Sequence, residues 1–187
     1  MILRNRAPSI DAAPVTATKG YEHVSAPSLA VIRWLNAAGV NYVLVGAVAR
    51  SVRGDSGARG PVAIVPAPYG RNLDRLVQAL HAVQARERSH TEALGILGQH
   101  ALTSTLKITA EDLIGPDSWE LSCGVYELDI EGRPEGSPSY QELLYEAVRI
   151  DFAEGLGAEV ASPEDIEHYD HVRRTGVVPE MVVTRTA

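Results

Sequence analysis

The spacing of hydrophobic residues predicts a helix and then a buried strand in the first third of the chain. Leu29, Ile32 and Leu35 recur at the spacing of helical turns, and Gly39 is a suitable residue to end that helix. The apolar run VNYVLV (40–45) follows and predicts a strand buried on both faces.

The pattern continues with a short helix, a second strand and a longer helix. Gly46 opens AVARSVR, a short helical stretch, and the glycine-rich turn GDSGARG leads to the predicted strand PVAIV (61–65). Asn72 is of a residue type that caps helices, and we expect the next helix to begin there. Its apolar face would consist of Leu73, Leu76, Val77, Leu80 and Val83.

The second half of the chain alternates between strand and helix patterns in the same way. SPED places a serine at an N-cap, a proline at the first helical position and an acid at the third, which predicts a helix after Ser162. The other predicted elements are a helix at 91–102, a strand at 103–108, a long strand or hairpin at 119–132, a helix and strand at 137–150, and a strand at 157–162.

These elements predict one domain between two loosely structured ends. Residues 1–26 are rich in Ala, Pro, Ser and Thr without periodicity, so we expect a flexible N-terminal arm. Residues 27–174 would form the domain, and 175–187 a C-terminal tail with strand propensity. A chain of 187 residues, 45% of them hydrophobic, is long enough to bury one sizeable core.

Composition and charge narrow the classes of function. The sequence has no apolar run long enough to span a membrane, its N-terminus lacks the apolar segment of a signal peptide, and its single cysteine excludes an internal disulfide, so we expect a cytoplasmic protein. Residues 1–109 carry a net charge of +6 and residues 110–187 carry −13, which gives the total of −7. Overall acidity argues against extensive nucleic-acid binding but allows a local basic site in the first half.

The order of elements resembles a known enzyme family. Strand, glycine, short helix, glycine-rich turn, a strand ending in VPAP and a helix opening NLDRLVQAL are followed by GVYELDIEG and by VASPEDIEHYDHVRR. Over residues 29–174 this arrangement resembles the minimal nucleotidyltransferases of the DNA polymerase β-like superfamily. The resemblance implies an α/β (α+β) fold with a mixed central sheet flanked by helices, and it puts Asp129 in the place of the family's third catalytic carboxylate.

The departures from the family pattern concern its catalytic residues. Relatives carry Asp-x-Asp on the second strand, and these places hold Pro61 and Ala63 here. Ala47 replaces the second glycine of the turn after the first strand. Nucleotidyl transfer of this kind uses two divalent cations held by carboxylates, and Asp129 alone is insufficient for them. The resemblance therefore implies a degenerate active site that needs no cofactor.

A relocated metal site is the main alternative. Glu127, Asp129 and Glu131 lie two residues apart, which puts them on one face of a strand, where Asp129 and Glu127 are candidate Mg²⁺ ligands. Asp55, in the glycine-rich turn, is a further candidate catalytic carboxylate. The same stripe is also typical of the solvated face of an amphipathic strand, and an aspartate before Ser-Gly is typical of a turn.

A phosphate-binding site is predicted near the first glycine. Gly46 and Ala47 form the turn before the short helix, and Arg50, Arg53 and Arg59 lie on that helix and in the turn after it. Backbone N–H groups and guanidinium groups together suit a nucleotide phosphate. The alternative is an ordinary exposed basic helix face.

Three functions remain open at this point. The first is a catalytically inactive nucleotidyltransferase-fold protein, a pseudoenzyme that binds a nucleotide or a protein partner. Because members of the family often act in toxin–antitoxin or defence pairs, the resemblance implies a regulatory or antitoxin-like role. The second is an active enzyme built on Asp129, Glu127 and Asp55, and the third is a structural homodimer module.

Overall fold

Seven strands form one mixed sheet in the computed structural model, which describes residues 8–10, 15–88 and 107–179. The strands are β1 (Tyr42–Val45), β2 (Val62–Pro66), β3 (Arg86–Glu87), β4 (Trp119–Cys123), β5 (Tyr126–Ile130), β6 (Val148–Ala153) and β7 (Leu156–Val160). Their order across the sheet is β3-β4-β5-β2-β1-β7-β6. The predicted α+β class with a mixed sheet is confirmed.

Five helices flank the sheet in the described part of the chain. They are α1 (Ala26–Ala37), α2 (Gly46–Val52), α3 (Gly70–Ala82), α4 (Tyr140–Glu146) and α5 (Pro163–Thr175), with a short 3-10 helix at Asp112–Ile114. Ser162 caps α5 by accepting from the Asp165 backbone N–H, as SPED predicts. None of the helices that the structure describes is long and apolar enough to cross a membrane.

The apolar runs of β1 and β2 are explained by their central position in the sheet. β1 pairs with β2 in antiparallel fashion and with β7 in parallel, and β2 pairs with β5 in parallel. Every residue of β1 and β2 is buried. A strand covered on both faces reads as a continuous apolar run, which is how β1 and β2 are visible in the sequence.

The start of α3 differs from the prediction. The helix begins at Gly70 after Tyr69, so Asn72 lies inside the first turn and is not its cap. The buried Asn72 amide donates to the backbone carbonyls of Asn41 and Ala67, each at 2.9 Å, and its Oδ1 accepts from the Asn41 N–H at 2.7 Å. Asparagine is a common cap residue, but the side chain of Asn72 instead joins α3 to the start of β1 by hydrogen bonds.

The second half is largely as predicted. Segment 119–132 is a hairpin, since β4 and β5 pair in antiparallel fashion across a turn in which Gly124 has a φ of +71°. The strand predicted at 103–108 is wrong at residues 107 and 108, which are in a loop whose Ile108 side chain is buried without strand pairing. The rest of that strand, the helix predicted at 91–102 and most of the C-terminal tail lie outside the described residues.

The described part of the N-terminal segment lies against the domain. The Thr18 N–H donates to the Phe152 carbonyl at 2.6 Å, which attaches the segment to the end of edge strand β6. The Trp34 indole N–H donates to the Pro8 carbonyl at 3.0 Å. These contacts differ from the free arm expected for residues 1–26, because apolar side chains of this segment pack on the core.

Candidate functional site

The carboxylate stripe of β5 points to one face of the sheet, as the alternation of the strand predicts. Glu127 is half-exposed, whereas Asp129 is fully buried and Glu131 is 5% exposed. The interpretation of this stripe as a solvated face is therefore wrong for Asp129 and Glu131. Buried carboxylates need partners, because an unpaired charge in the interior is strongly unfavourable.

Both oxygens of Asp129 accept hydrogen bonds from arginines. Arg173, near the end of α5, donates to Oδ2 at 2.6 Å, and Arg88, directly after β3, donates to Oδ1. Arg173 also donates to Glu131 Oε1, whose other oxygen accepts from the Ser118 hydroxyl at 3.3 Å. The two buried carboxylates are thus bound by side chains from three separate parts of the chain.

Two further carboxylates lie around Arg88. Its guanidinium is 3.6 Å from Glu127 and 3.9 Å from Glu120 of β4, which is paired with Asp129 in the sheet. We call this group the arginine–carboxylate cluster: Arg88, Arg173, Glu120, Glu127, Asp129 and Glu131. Four carboxylates and two guanidiniums would leave two excess negative charges if every group were ionised.

Burial is the largest influence on the two buried carboxylates of the cluster. It raises the pKa of Asp129 above its ordinary value, while the hydrogen bond and the charge of Arg173 lower it. Burial likewise raises the pKa of Glu131, against the lowering effect of the Arg173 charge. The arginines therefore favour the ionised form of these groups against the effect of burial.

The residues in the places where the resemblance implies aspartates, Pro61 and Ala63, offer no carboxylate beside Asp129. Ala63 of β2 is paired with Asp129 in the sheet register, and a Cβ placed on Gly46 would come within 2.9 Å of the Ala63 Cβ. Pro61 precedes β2 and lines a cleft of about 220 Å³ with Glu127. Among the described residues no arginine lines this cleft, and no group of three His, Cys, Asp or Glu side chains is arranged to hold a metal ion.

The residues at hand therefore do not fit Mg²⁺. A hard divalent cation takes carboxylate oxygens as ligands, and both oxygens of Asp129 already accept from guanidinium groups. Glu127 contributes one half-exposed carboxylate that is paired with Arg88. Asp55 accepts from the Gly57 N–H at 3.2 Å, the geometry of the turn-forming aspartate that was the alternative to a catalytic role.

Two arginines of the predicted phosphate site have protein partners. Arg50 forms an ion pair with Asp170 of α5 and lies 3.6 Å from Glu167. Arg53 donates to the carbonyls of Val160 and Ala161 at 2.9 and 3.0 Å. Both side chains thus join α2 to β7 and α5, and phosphate binding by them stays a prediction.

The remaining residues of the predicted phosphate site are arranged as follows. Arg59 donates to the backbone carbonyls of Ser56 and Ala58 within its own exposed loop. Gly46 has a φ of +65°, and a Cβ on Gly60 would come within 2.9 Å of the Ala47 Cβ. The glycine-rich loop therefore packs closely against the turn that the sequence suggests for phosphate.

Sequence reasoning did not find Arg88 or Arg173. The sequence contains a signal that could have identified Arg173. Its spacing from Ile166 and Tyr169 places the arginine on the buried face of α5. No local sequence signal identifies Arg88, because its position beside Asp129 depends on the pairing of β3 with β4 and of β4 with β5.

Comparison of the chain with protein-family models, with curated proteins and with solved structures found no match. Membership of the nucleotidyltransferase superfamily therefore stays a prediction from the order of sequence elements.

Proposed function

We propose that the protein is a catalytically inactive member of the nucleotidyltransferase fold that acts by binding. The observation that carries this proposal is the double pairing of Asp129 with Arg88 and Arg173. At the position where the resemblance implies a metal ligand, the protein supplies its own two cations.

Guanidinium groups can balance charge at such a position but cannot replace the metal chemistry. A divalent ion polarises phosphoryl oxygens and coordinates the attacking and leaving groups, whereas a guanidinium only donates hydrogen bonds in fixed directions. With Ala63 and Pro61 in the places of the other two carboxylates, no second metal ligand lies on β2. The active-enzyme alternative, with a site on Asp129, Glu127 and Asp55, would require both arginines to leave Asp129.

A protein partner is a better-supported ligand than a nucleotide. Arg50 and Arg53 already bind Asp170 and backbone carbonyls, so a nucleotide would have to compete for them. Val148 of edge strand β6 is 50% exposed, and Tyr145, three residues earlier at the end of α4, is 86% exposed. Exposed apolar side chains at a sheet edge favour pairing with another chain, either a regulatory or antitoxin-like partner or a second copy.

The test is a thermal-shift screen of the full chain with nucleoside triphosphates, with and without Mg²⁺ or Mn²⁺. A ligand that binds only the folded state raises the melting temperature. We expect no metal-dependent stabilisation and no transfer of a radiolabelled nucleotide. Metal-dependent stabilisation that disappears in Asp129→Ala, but not in the exposed control Asp151→Ala, would overturn the proposal in favour of an active enzyme.

Two further outcomes distinguish the binding functions. Metal-independent stabilisation that is lost in Arg50→Ala would identify a nucleotide sensor. Without any nucleotide effect, sedimentation velocity of the purified chain is the next measurement. A dimer that dissociates in Val148→Asp would support the homodimer module, and a monomer would support a separate protein partner.

A further inference from the structure

A polar cavity of about 330 Å³ lies at the start of β1, at the opposite end of that strand from Gly46. Strands β1 and β7 and helices α1 and α4 contribute to it, together with Arg149 of β6. Its side chains with polar groups are Asn36, Asn41, Tyr42, Tyr140, Arg149 and Glu159. The volume is at the lower end of the range for small-molecule sites.

The interior of the cavity is held in one arrangement by a chain of hydrogen bonds. The Asn36 amide donates to the Gly157 carbonyl at 2.9 Å, and the Tyr42 hydroxyl donates to Asn36 Oδ1 at 3.0 Å. Burial raises the pKa of Tyr42, so this side chain is a neutral phenol at physiological pH. Because its proton is directed at Asn36, the Tyr42 oxygen is left to accept a hydrogen bond from a ligand.

The second tyrosine is also buried and neutral. Tyr140 is 5% exposed, and its ring meets that of Tyr69 edge to face, with centroids 6.2 Å apart. Burial raises the pKa of Tyr140, and the neighbouring Tyr69 and Glu159 raise it further. The cavity is therefore lined by a buried tyrosine as well as by the Glu159 carboxylate.

Of the described residues, Arg149 and Glu159 are the charged side chains that line the cavity. Arg149 Nη1 is 3.4 Å from Glu159 Oε1, longer than a good charge-assisted hydrogen bond. The Glu159 side chain is 32% exposed, and Arg149, at 61%, also lies 3.7 Å from Asp151. A weak, partly exposed ion pair contributes little to stability, so its two groups can turn to a ligand at small cost.

We propose that this cavity binds a small zwitterion of the α-amino acid class. The carboxylate of the ligand would pair with Arg149, and its ammonium group would donate to Glu159 and to the Tyr42 oxygen. A simple anion would be repelled by the like charge of Glu159, and a simple cation by that of Arg149, whereas a zwitterion can pair with both side chains. This site is separate from the arginine–carboxylate cluster and does not rest on the proposed loss of catalysis.

The test is a binding screen of the proteinogenic L-amino acids against the full chain by thermal shift, with isothermal titration calorimetry on those that raise the melting temperature. The analogues to compare are the N-acetyl derivative, which has no ammonium group, and the carboxamide, which has no carboxylate. We expect each analogue to bind about tenfold more weakly or worse, since each loses one charged contact. Arg149→Gln and Glu159→Gln should weaken the parent amino acid to a similar degree.

The control variant is Arg174→Gln, an exposed arginine on α5 that does not line the cavity. It should bind the amino acid as the unmodified chain does. The proposal is overturned if no amino acid binds at a ligand concentration of about 10 mM, which exceeds the dissociation constants of even weak specific complexes. It is also overturned if the carboxamide binds as tightly as the amino acid, because the site would then recognise only an amine.

Discussion

Arg173 donates a hydrogen bond of 2.6 Å to the fully buried carboxylate of Asp129, which joins the last helix to a central strand of the sheet. Because Asp129 cannot reach water, this bond and the one from Arg88 stand in for its hydration. The arginine–carboxylate cluster is thus a structural contact between α5 and the sheet.

Removing Arg173 should destabilise the fold. Arg173→Met keeps most of the side-chain length but leaves Asp129 and Glu131 short of a cation, and we expect a loss of about 2–4 kcal/mol in the free energy of unfolding. We expect a smaller loss than for breaking a fully buried ion pair, because the Arg173 side chain is itself 36% exposed and partly solvated. Urea denaturation would measure it.

The neighbouring arginine provides the control for that prediction. Arg174→Met removes an exposed charge from the same turn of α5 and should change the free energy by less than about 0.5 kcal/mol. If the two variants were equally stable, the ion pairs of Arg173 with Asp129 and Glu131 would contribute nothing to the fold.

His168 should make stability depend on pH. Burial lowers its pKa below the ordinary value of about 6.5; the nearby Asp165 raises the pKa and His171 lowers it. Its Nε2 contacts the Ser137 hydroxyl, and its buried Nδ1 has no hydrogen-bond partner among the described residues. The folded state binds fewer protons than the unfolded state, so stability should fall as pH drops below about 6.5 toward the lowered pKa.

His168→Gln tests this assignment. The variant should lose that part of the pH dependence, measured as the midpoint of urea denaturation between about pH 7 and pH 5. The exposed His81→Gln variant on α3 should retain the profile of the unmodified chain. An unchanged profile in His168→Gln would mean that another group causes the dependence.

Gly46 should not tolerate a side chain. Gly46→Ala combines an unfavourable φ of +65° with a Cβ only 2.9 Å from that of Ala63, and we expect a cost of about 2–4 kcal/mol. Gly155→Ala is the matched control, because its φ of +69° is similar and no atom lies within 4 Å of the added Cβ. Calorimetric melting should show a cost of about 1–2 kcal/mol there, and equal costs would exclude the close contact with Ala63.

Asn72 should be important for stability although it is not a helix cap. Asn72→Ala leaves the Asn41 N–H and two carbonyls without this partner, and we expect a loss of about 2–4 kcal/mol by chemical denaturation. Asn41→Ala, which removes only an exposed side chain, should cost much less. A small effect of Asn72→Ala would mean that water replaces its hydrogen bonds.

The sequence by itself determined the elements whose signals are local. β1 and β2 are apolar runs because both faces are covered, and the N-cap of α5 at Ser162 depends on residues within one turn. The alternation along β5 likewise places Glu127 and Asp129 on one face, because successive side chains of a strand point to opposite sides of the sheet. Glu131, directly after the strand, follows the same spacing.

Only the tertiary structure decided what those carboxylates meet. Arg88 and Arg173 are 41 and 44 residues from Asp129 in the chain, and Asn72 is 31 residues from Asn41. Such contacts depend on strand order and helix packing, which no local spacing encodes. Burial makes these ion pairs necessary, because a carboxylate removed from water has to be paired with a cation that the fold brings next to it.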